Sequence, residues 1–138
     1  METIREIMHK PVVTVDAGDS PRRARQLMDS HGIGHLPVLS EGHLVGVVSR
    51  QELTGGEQRE RVVPPVGENL AVERIMTQPV DTLQSSASIA WAAALVRTLG
   101  IGCIPVVDDR RLIGIVTRRD LRSVEEEAAP YPLDGEKD

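Results

Sequence analysis

Phenylalanine is absent from this 138-residue chain, and the other large aromatics occur once each, as Trp91 and Tyr131. A core without rings must be aliphatic, filled by Val, Ile, Leu, Met and Ala. The same shortage removes the stacking platforms used by readers of single-stranded nucleic acid. Cysteine is almost absent too. Cys103 stands alone, so no intrachain disulfide can form, and a reducing cytoplasm suits such a chain. The longest apolar run, Ile89 to Val96, is far below the ~18–20 residues of a membrane span. No basic stretch leads into an apolar one at the start, so no signal peptide is expected. These readings predict a cytoplasmic protein with neither membrane nor nucleic-acid partners.

Net charge is missing from most of the chain. The net charge of −5 resides in the last fifteen residues, where Glu125, Glu126, Glu127, Asp134, Glu136 and Asp138 face a single Lys137. Residues 1–123 sum to zero, which leaves no broad electrostatic footprint for DNA or anionic lipid.

What is present is a duplication. At an offset of 68 residues, Ile7-Met8 falls on Ile75-Met76, Gly32-Ile33-Gly34 on Gly100-Ile101-Gly102, and Pro37-Val38 on Pro105-Val106. Gly46, Arg50 and Leu53 fall on Gly114, Arg118 and Leu121. Between Ile7 and Leu53, 18 of 47 positions are identical without a gap.

Each copy reads alike. A helical turn ends at the Ile-Met pair, with Thr3 and Glu6 spaced as a capping box in the first copy. Val12 to Val15, or Val80 to Leu83, suggests a short strand. A helix opens at Ser20-Pro21 or Ser88 and closes at Gly32 or Gly100. In the second helix Trp91, Leu95, Val96 and Leu99 form the apolar side, with Trp91 in the core. Leu36 to Leu39 and Leu44 to Val48 form a hairpin, matched by Ile104 to Val107 and Leu112 to Val116. A last helix opens at Ser49 or Thr117. The fold class is α+β: two β-α-β-β-α repeats packed about a pseudo-twofold axis, since a repeat of about 50 residues is marginal alone. The expected division is residues 1–55 for the first repeat, 56–70 for a linker, 71–123 for the second repeat and 124–138 for an acidic disordered tail.

Both copies end their last strand with a hydroxyl, two other residues and an acid: Ser49-Arg50-Gln51-Glu52 and Thr117-Arg118-Arg119-Asp120. The pattern reads as a helix capping box. It also suits a ligand, because a helix start favours phosphate and a carboxylate accepts ribose hydroxyls. No phosphate loop, paired-carboxylate motif or Ser-His-Asp signal accompanies it, so no enzyme is expected. The glycines are placed at helix ends and turns. His31 and His35 are interrupted by Gly32 and Gly34, which argues against a metal site. Cys103 reads as a small packed hydrophobe.

The ordered recurrence of Gly32-Ile33-Gly34-His35-Leu36-Pro37-Val38 and Leu44 to Leu53, then Gly100-Ile101-Gly102-Cys103-Ile104-Pro105-Val106 and Leu112 to Leu121, resembles the signature of tandem cystathionine-β-synthase (CBS) domains, the Bateman module. The resemblance covers about residues 1–123. It implies a regulatory or sensor module without a cofactor of its own, binding AMP, ADP, ATP or a related adenosyl ligand in the cleft between the repeats. It also implies a homodimer and a regulated partner protein. One implied site joins Thr117, Arg118, Arg119 and Asp120 to Thr14, Ile33, Gly34 and His35. A second, weaker site joins Ser49 and Glu52 to Thr82, Ile101, Gly102 and Cys103; there Glu52 is one methylene longer than Asp. The alternative is a ligand-free dimerisation or interaction module.

Overall fold

The computed structural model describes residues 2–53 and 70–122. The linker read at 56–70, apart from Leu70, and the tail at 124–138 lie outside the described residues. The described chain folds as two units, and these are not the two sequence repeats. One combines the first repeat with residues up to Asp81; the other combines Met1–Pro11 with the second repeat from Thr82 onward. Each repeat thus receives the short segment that precedes the other.

In the first-repeat unit, β1 (Val15–Asp16), β2 (His35–Ser40) and β3 (His43–Ser49) form one sheet in that order, covered by α1 (Pro21–His31). Ser20 caps α1 by accepting from the Arg23 amide at 3.1 Å, with Pro21 at the first helical position. Gly32 ends it in the left-handed region at φ 64°, which glycine adopts without a Cβ clash. Val15, Met28, Leu36, Val38, Val48 and Leu53 are buried together, and Val72 from the incoming segment joins them. The Val72 amide donates to Asp19 at 2.8 Å and that of Glu73 to Ala17 at 3.1 Å.

The second-repeat unit contains α2 (Ile89–Leu99), β4 (Cys103–Asp108) and β5 (Arg111–Thr117). Ser88 caps α2 through the Trp91 amide, and Gly100 closes it at φ 67°. Ile4 is buried here among Ile89, Val96, Ile104, Val116 and Leu121. The Ile4 and Arg5 amides donate to Ala87 and Ser85 at 2.9 and 3.2 Å, the same register as at Val72 and Glu73. Burial of such a side chain stabilises the unit by roughly 1.5–3 kcal/mol.

Four expectations need correction. The strand read at Val12 to Val15 is only the pair Val15–Asp16, parallel to Val38 and Leu39, and its second copy is one bridge from Leu83 to Val106. Val13 meets its apolar demand by packing against the core instead of pairing. Thr3 makes no side-chain cap; its backbone bridges to Ser88. The buried side of α2 is Ile89, Ala92, Ala93 and Val96, whereas Trp91 is 56 % and Leu99 46 % exposed. This helix is apolar nearly all round, so its period does not declare one inward face, and the small Ala92 and Ala93 are buried where the larger Trp91 is not. Finally, Gly46 and Gly114 lie mid-strand rather than at turns.

Those two glycines admit the exchanged segments. A Cβ on Gly114 would stand 2.6 Å from the Met8 sulfur and 3.2 Å from the His9 carbonyl; on Gly46 it would meet Met76 and the Thr77 carbonyl. Beside them, His9 and Ile115 exchange backbone hydrogen bonds of 2.9 and 3.2 Å, and Thr77 and Val47 exchange bonds of 2.8 and 3.1 Å. One polar cluster adds to the docking of the N-terminal segment alone. Ser85, buried, donates its hydroxyl and amide to Asp108 at 2.6 and 2.9 Å, and the Arg5 guanidinium donates to the Ser85 hydroxyl at 2.7 Å. The Ser85 hydrogen bonds, aided by Arg5, hold the Asp108 carboxyl below its ordinary value.

Two outcomes are expected. Gly114→Ala and Gly46→Ala each lower unfolding free energy by about 1–3 kcal/mol in urea titrations. Gly34→Ala, where a Cβ meets nothing within 4 Å, stays near wild type. Because the folded-state value of Asp108 is depressed, its contribution is present above the ordinary carboxylate value and is lost as pH falls through the folded one. Wild type is therefore expected to melt above Asp108→Asn at neutral pH, with the gap closing in acid.

Candidate ligand-binding site

The hydroxyl-x-x-acid patterns form reciprocal caps in both units. In the second-repeat unit the Thr117 amide donates to Oδ2 of Asp120 at 2.9 Å, and the Asp120 amide donates to the Thr117 hydroxyl at 3.2 Å. In the first-repeat unit the Ser49 amide donates to Oε1 of Glu52 at 2.8 Å, and the Glu52 amide to the Ser49 hydroxyl at 3.2 Å. The antiparallel hairpins place these caps. Thr117 lies opposite Cys103, and Ser49 opposite His35. The Arg118 amide then closes on the Gly102 carbonyl at 2.8 Å, and the Arg50 amide on Gly34 at 2.9 Å.

Each glycine-flanked isoleucine loop therefore sits beside the cap of its own repeat. Ile101, Gly102 and Cys103 share a unit with Thr117, Arg118, Arg119, Asp120 and Thr82. Ile33, Gly34, His35 and Thr14 share the other with Ser49 and Glu52. The implied sites each draw residues from both units. Arg118 and Arg50 brace their own loops: the Arg118 guanidinium donates to the Ile101 carbonyl at 2.9 Å, and that of Arg50 to the Ile33 carbonyl at 3.2 Å. Arg50 also pairs with Asp29 at 2.8 Å. Arg119 is exposed, and Cys103 is buried.

The second carboxylate oxygen of each acid goes to a residue that sequence reasoning missed. Oδ1 of Asp120 meets Nε2 of His9 at 2.9 Å, and Oε2 of Glu52 accepts a short hydrogen bond from the Thr77 hydroxyl. His9 and Thr77 occupy matching positions in the duplication, directly after the Ile-Met pair. That match was the available signal. The His9 side chain is 62 % and the Asp120 side chain 18 % exposed, so the pair lies at the surface with the acid partly sheltered. A cavity of about 400 Å³ in the same unit is lined by Ala93, Val96, Arg97, Gly100, Arg118, Leu121 and Arg122. It runs along α2 and residues 118–122 and takes in neither Thr117 nor Asp120.

The CBS domain profile matches residues 4–56 and 72–127, one match per repeat. The uncharacterized protein MJ1404 of Methanocaldococcus jannaschii is 35 % identical over 130 residues, covering 86 % of this chain and 30 % of that protein. The chain spans less than a third of the length of several curated relatives that it matches. Among solved structures, the CBS domain pair of protein MJ0100 in complex with 5′-methylthioadenosine and S-adenosyl-L-methionine superposes with a TM-score of 0.81 at 28 % identity, covering 92 % of this chain and 98 % of that one. CBSX2 in complex with AMP superposes with a TM-score of 0.76 at 26 % identity, again covering 92 % of this chain and 98 % of the other. Two repeats of matching architecture, each carrying its own hydroxyl–acid cap, make this chain a tandem pair of domains belonging to the CBS domain family.

Proposed function

We propose that this CBS pair is a regulatory or sensor module for AMP, ADP, ATP or a related adenosyl ligand, and that Asp120 holds the ribose. The observation that carries the reading is the state of the Asp120 carboxylate. The Thr117 amide and His9 each engage one of its oxygens, and the side chain remains 18 % exposed. A carboxylate offers about four lone-pair directions, so two remain for a vicinal diol. Charge-assisted hydrogen bonds of this kind contribute roughly 1.5–3 kcal/mol each. The likeness to pairs solved with 5′-methylthioadenosine, S-adenosyl-L-methionine and AMP supports the ligand class.

In this reading Thr14, Ile33, Gly34 and His35 serve the adenine side and one phosphate contact. Arg118 and Arg119 serve the phosphates, since Arg118 uses one of its five donors on Ile101. Ser49, Glu52, Thr82, Ile101, Gly102 and Cys103 form the weaker site. No catalytic step is assigned. The module acts in the cytoplasm by reporting ligand level to a partner protein. A second reading, self-association into a homodimer, is favoured by Trp91 and Leu99, which leave 56 % and 46 % of their surfaces uncovered on α2. Its signature is a dimer in light scattering that persists without nucleotide.

A ligand that binds only the folded state stabilises it by about 2.7 kcal/mol at a hundredfold excess over Kd. Thermal melts with millimolar AMP, ADP, ATP, 5′-methylthioadenosine or S-adenosylmethionine are expected to show a rise for at least one. Asp120→Asn should erase most of that rise while leaving the ligand-free melt close to wild type, because Asn still accepts from the Thr117 amide. Melting unmoved by every one of these ligands would count decisively against the reading.

A further inference from the structure

The two acids are held by partners of opposite length. In the second-repeat unit the short Asp120 meets the long His9; in the first-repeat unit the long Glu52 meets the short Thr77. The backbones at these positions are pinned alike. His9 exchanges hydrogen bonds of 2.9 and 3.2 Å with Ile115, and Thr77 bonds of 2.8 and 3.1 Å with Val47. The caps pin the other end of each pair, through Thr117 and Ser49. With both anchors fixed, the two side chains together must span the gap, so a longer partner goes with a shorter acid.

We infer that His9 is a positioning residue for the ribose-binding carboxylate of Asp120, with a reach matched to that acid. The inference rests on the reading that Asp120 takes the ribose diol. The terminal torsion of aspartate is broad. One hydrogen bond, from the Thr117 amide to Oδ2, leaves the carboxylate plane loosely set. The second, between Oδ1 and His9, fixes which way the remaining lone pairs point. The core does not require this contact, because the His9 side chain is 62 % exposed and the cap is complete without it.

Calorimetric titration of the full chain with AMP and with 2′-deoxy-AMP tests it. Wild type is expected to prefer AMP by about tenfold or more, the worth of one charge-assisted hydrogen bond. His9→Ala should weaken AMP by about tenfold and leave 2′-deoxy-AMP unchanged. An equal loss for both nucleotides means a merely structural role and overturns the inference, as does an undiminished preference for AMP. Should His9→Ala fail to fold, His9→Thr and Asp120→Glu carry the test. Each alone should lose the preference, and the double variant, which recreates the Thr77–Glu52 pair, should regain it; no recovery overturns the inference. A wild type that binds both equally, or that binds neither of them nor any ligand of the thermal melts, overturns the ribose reading and His9 with it. That outcome differs from failure of His9 alone, in which wild type and variant both prefer AMP.

Discussion

The docking of a short segment onto a strand edge, once in each unit, is the constraint on which the rest of the structure depends. The outer edges of β3 and β5 would otherwise present unpaired backbone groups, which a sheet must cover or pair. His9 and Thr77 pair them through two backbone hydrogen bonds each, and Met8 and Met76 lie across glycines that leave them room. Ile4 and Val72 enter the cores at the far ends of the same segments. The sheet edge, the core and the acid of each cap are thus all completed by a few residues from elsewhere in the chain.

The duplication conserves this backbone arrangement and relaxes the polar chemistry around it. Ser85, Asp108 and Arg5 form a hydrogen-bonded cluster in one unit; their counterparts in the other are Ala17, Ser40 and Glu73. The main-chain bonds survive the exchange of side chains, because Arg5 donates to Ser85 as Glu73 donates to Ala17. A buried polar group demands a partner, so Ser85 brings Asp108 with it, whereas Ala17 demands nothing. Asp120 with His9 and Glu52 with Thr77 follow a different rule, that of matched reach between fixed anchors.

Much of this was legible from local pattern. The caps at Ser20 and Ser88, the left-handed ends at Gly32 and Gly100, the hairpins and the hydroxyl–acid caps are all short-range features, each set by a few adjacent residues. The inward face of α2 was not, because an almost wholly apolar helix offers two stripes of equal merit and only the sheet chooses between them. Nor was the exchange of segments. Periodicity shows that Ile4 wants burial but not in which core. Gly46 and Gly114 held a clue, since a glycine inside a strand often marks another chain segment passing close by. His9 escaped notice because the acid it holds lies 111 residues away.

That distance bears on how the protein is made. The first-repeat unit ends at Asp81, and its Thr77–Glu52 bond closes a span of only 25 residues. The second-repeat unit must wait for β5 before its N-terminal segment has a home, and closing so long a loop is entropically costlier and slower. During vectorial synthesis, Ile4 and Met8 are made long before β5, the strand edge that seats them. In the interval Ile4 has no core to enter, because Ile104, Val116 and Leu121 have yet to be made.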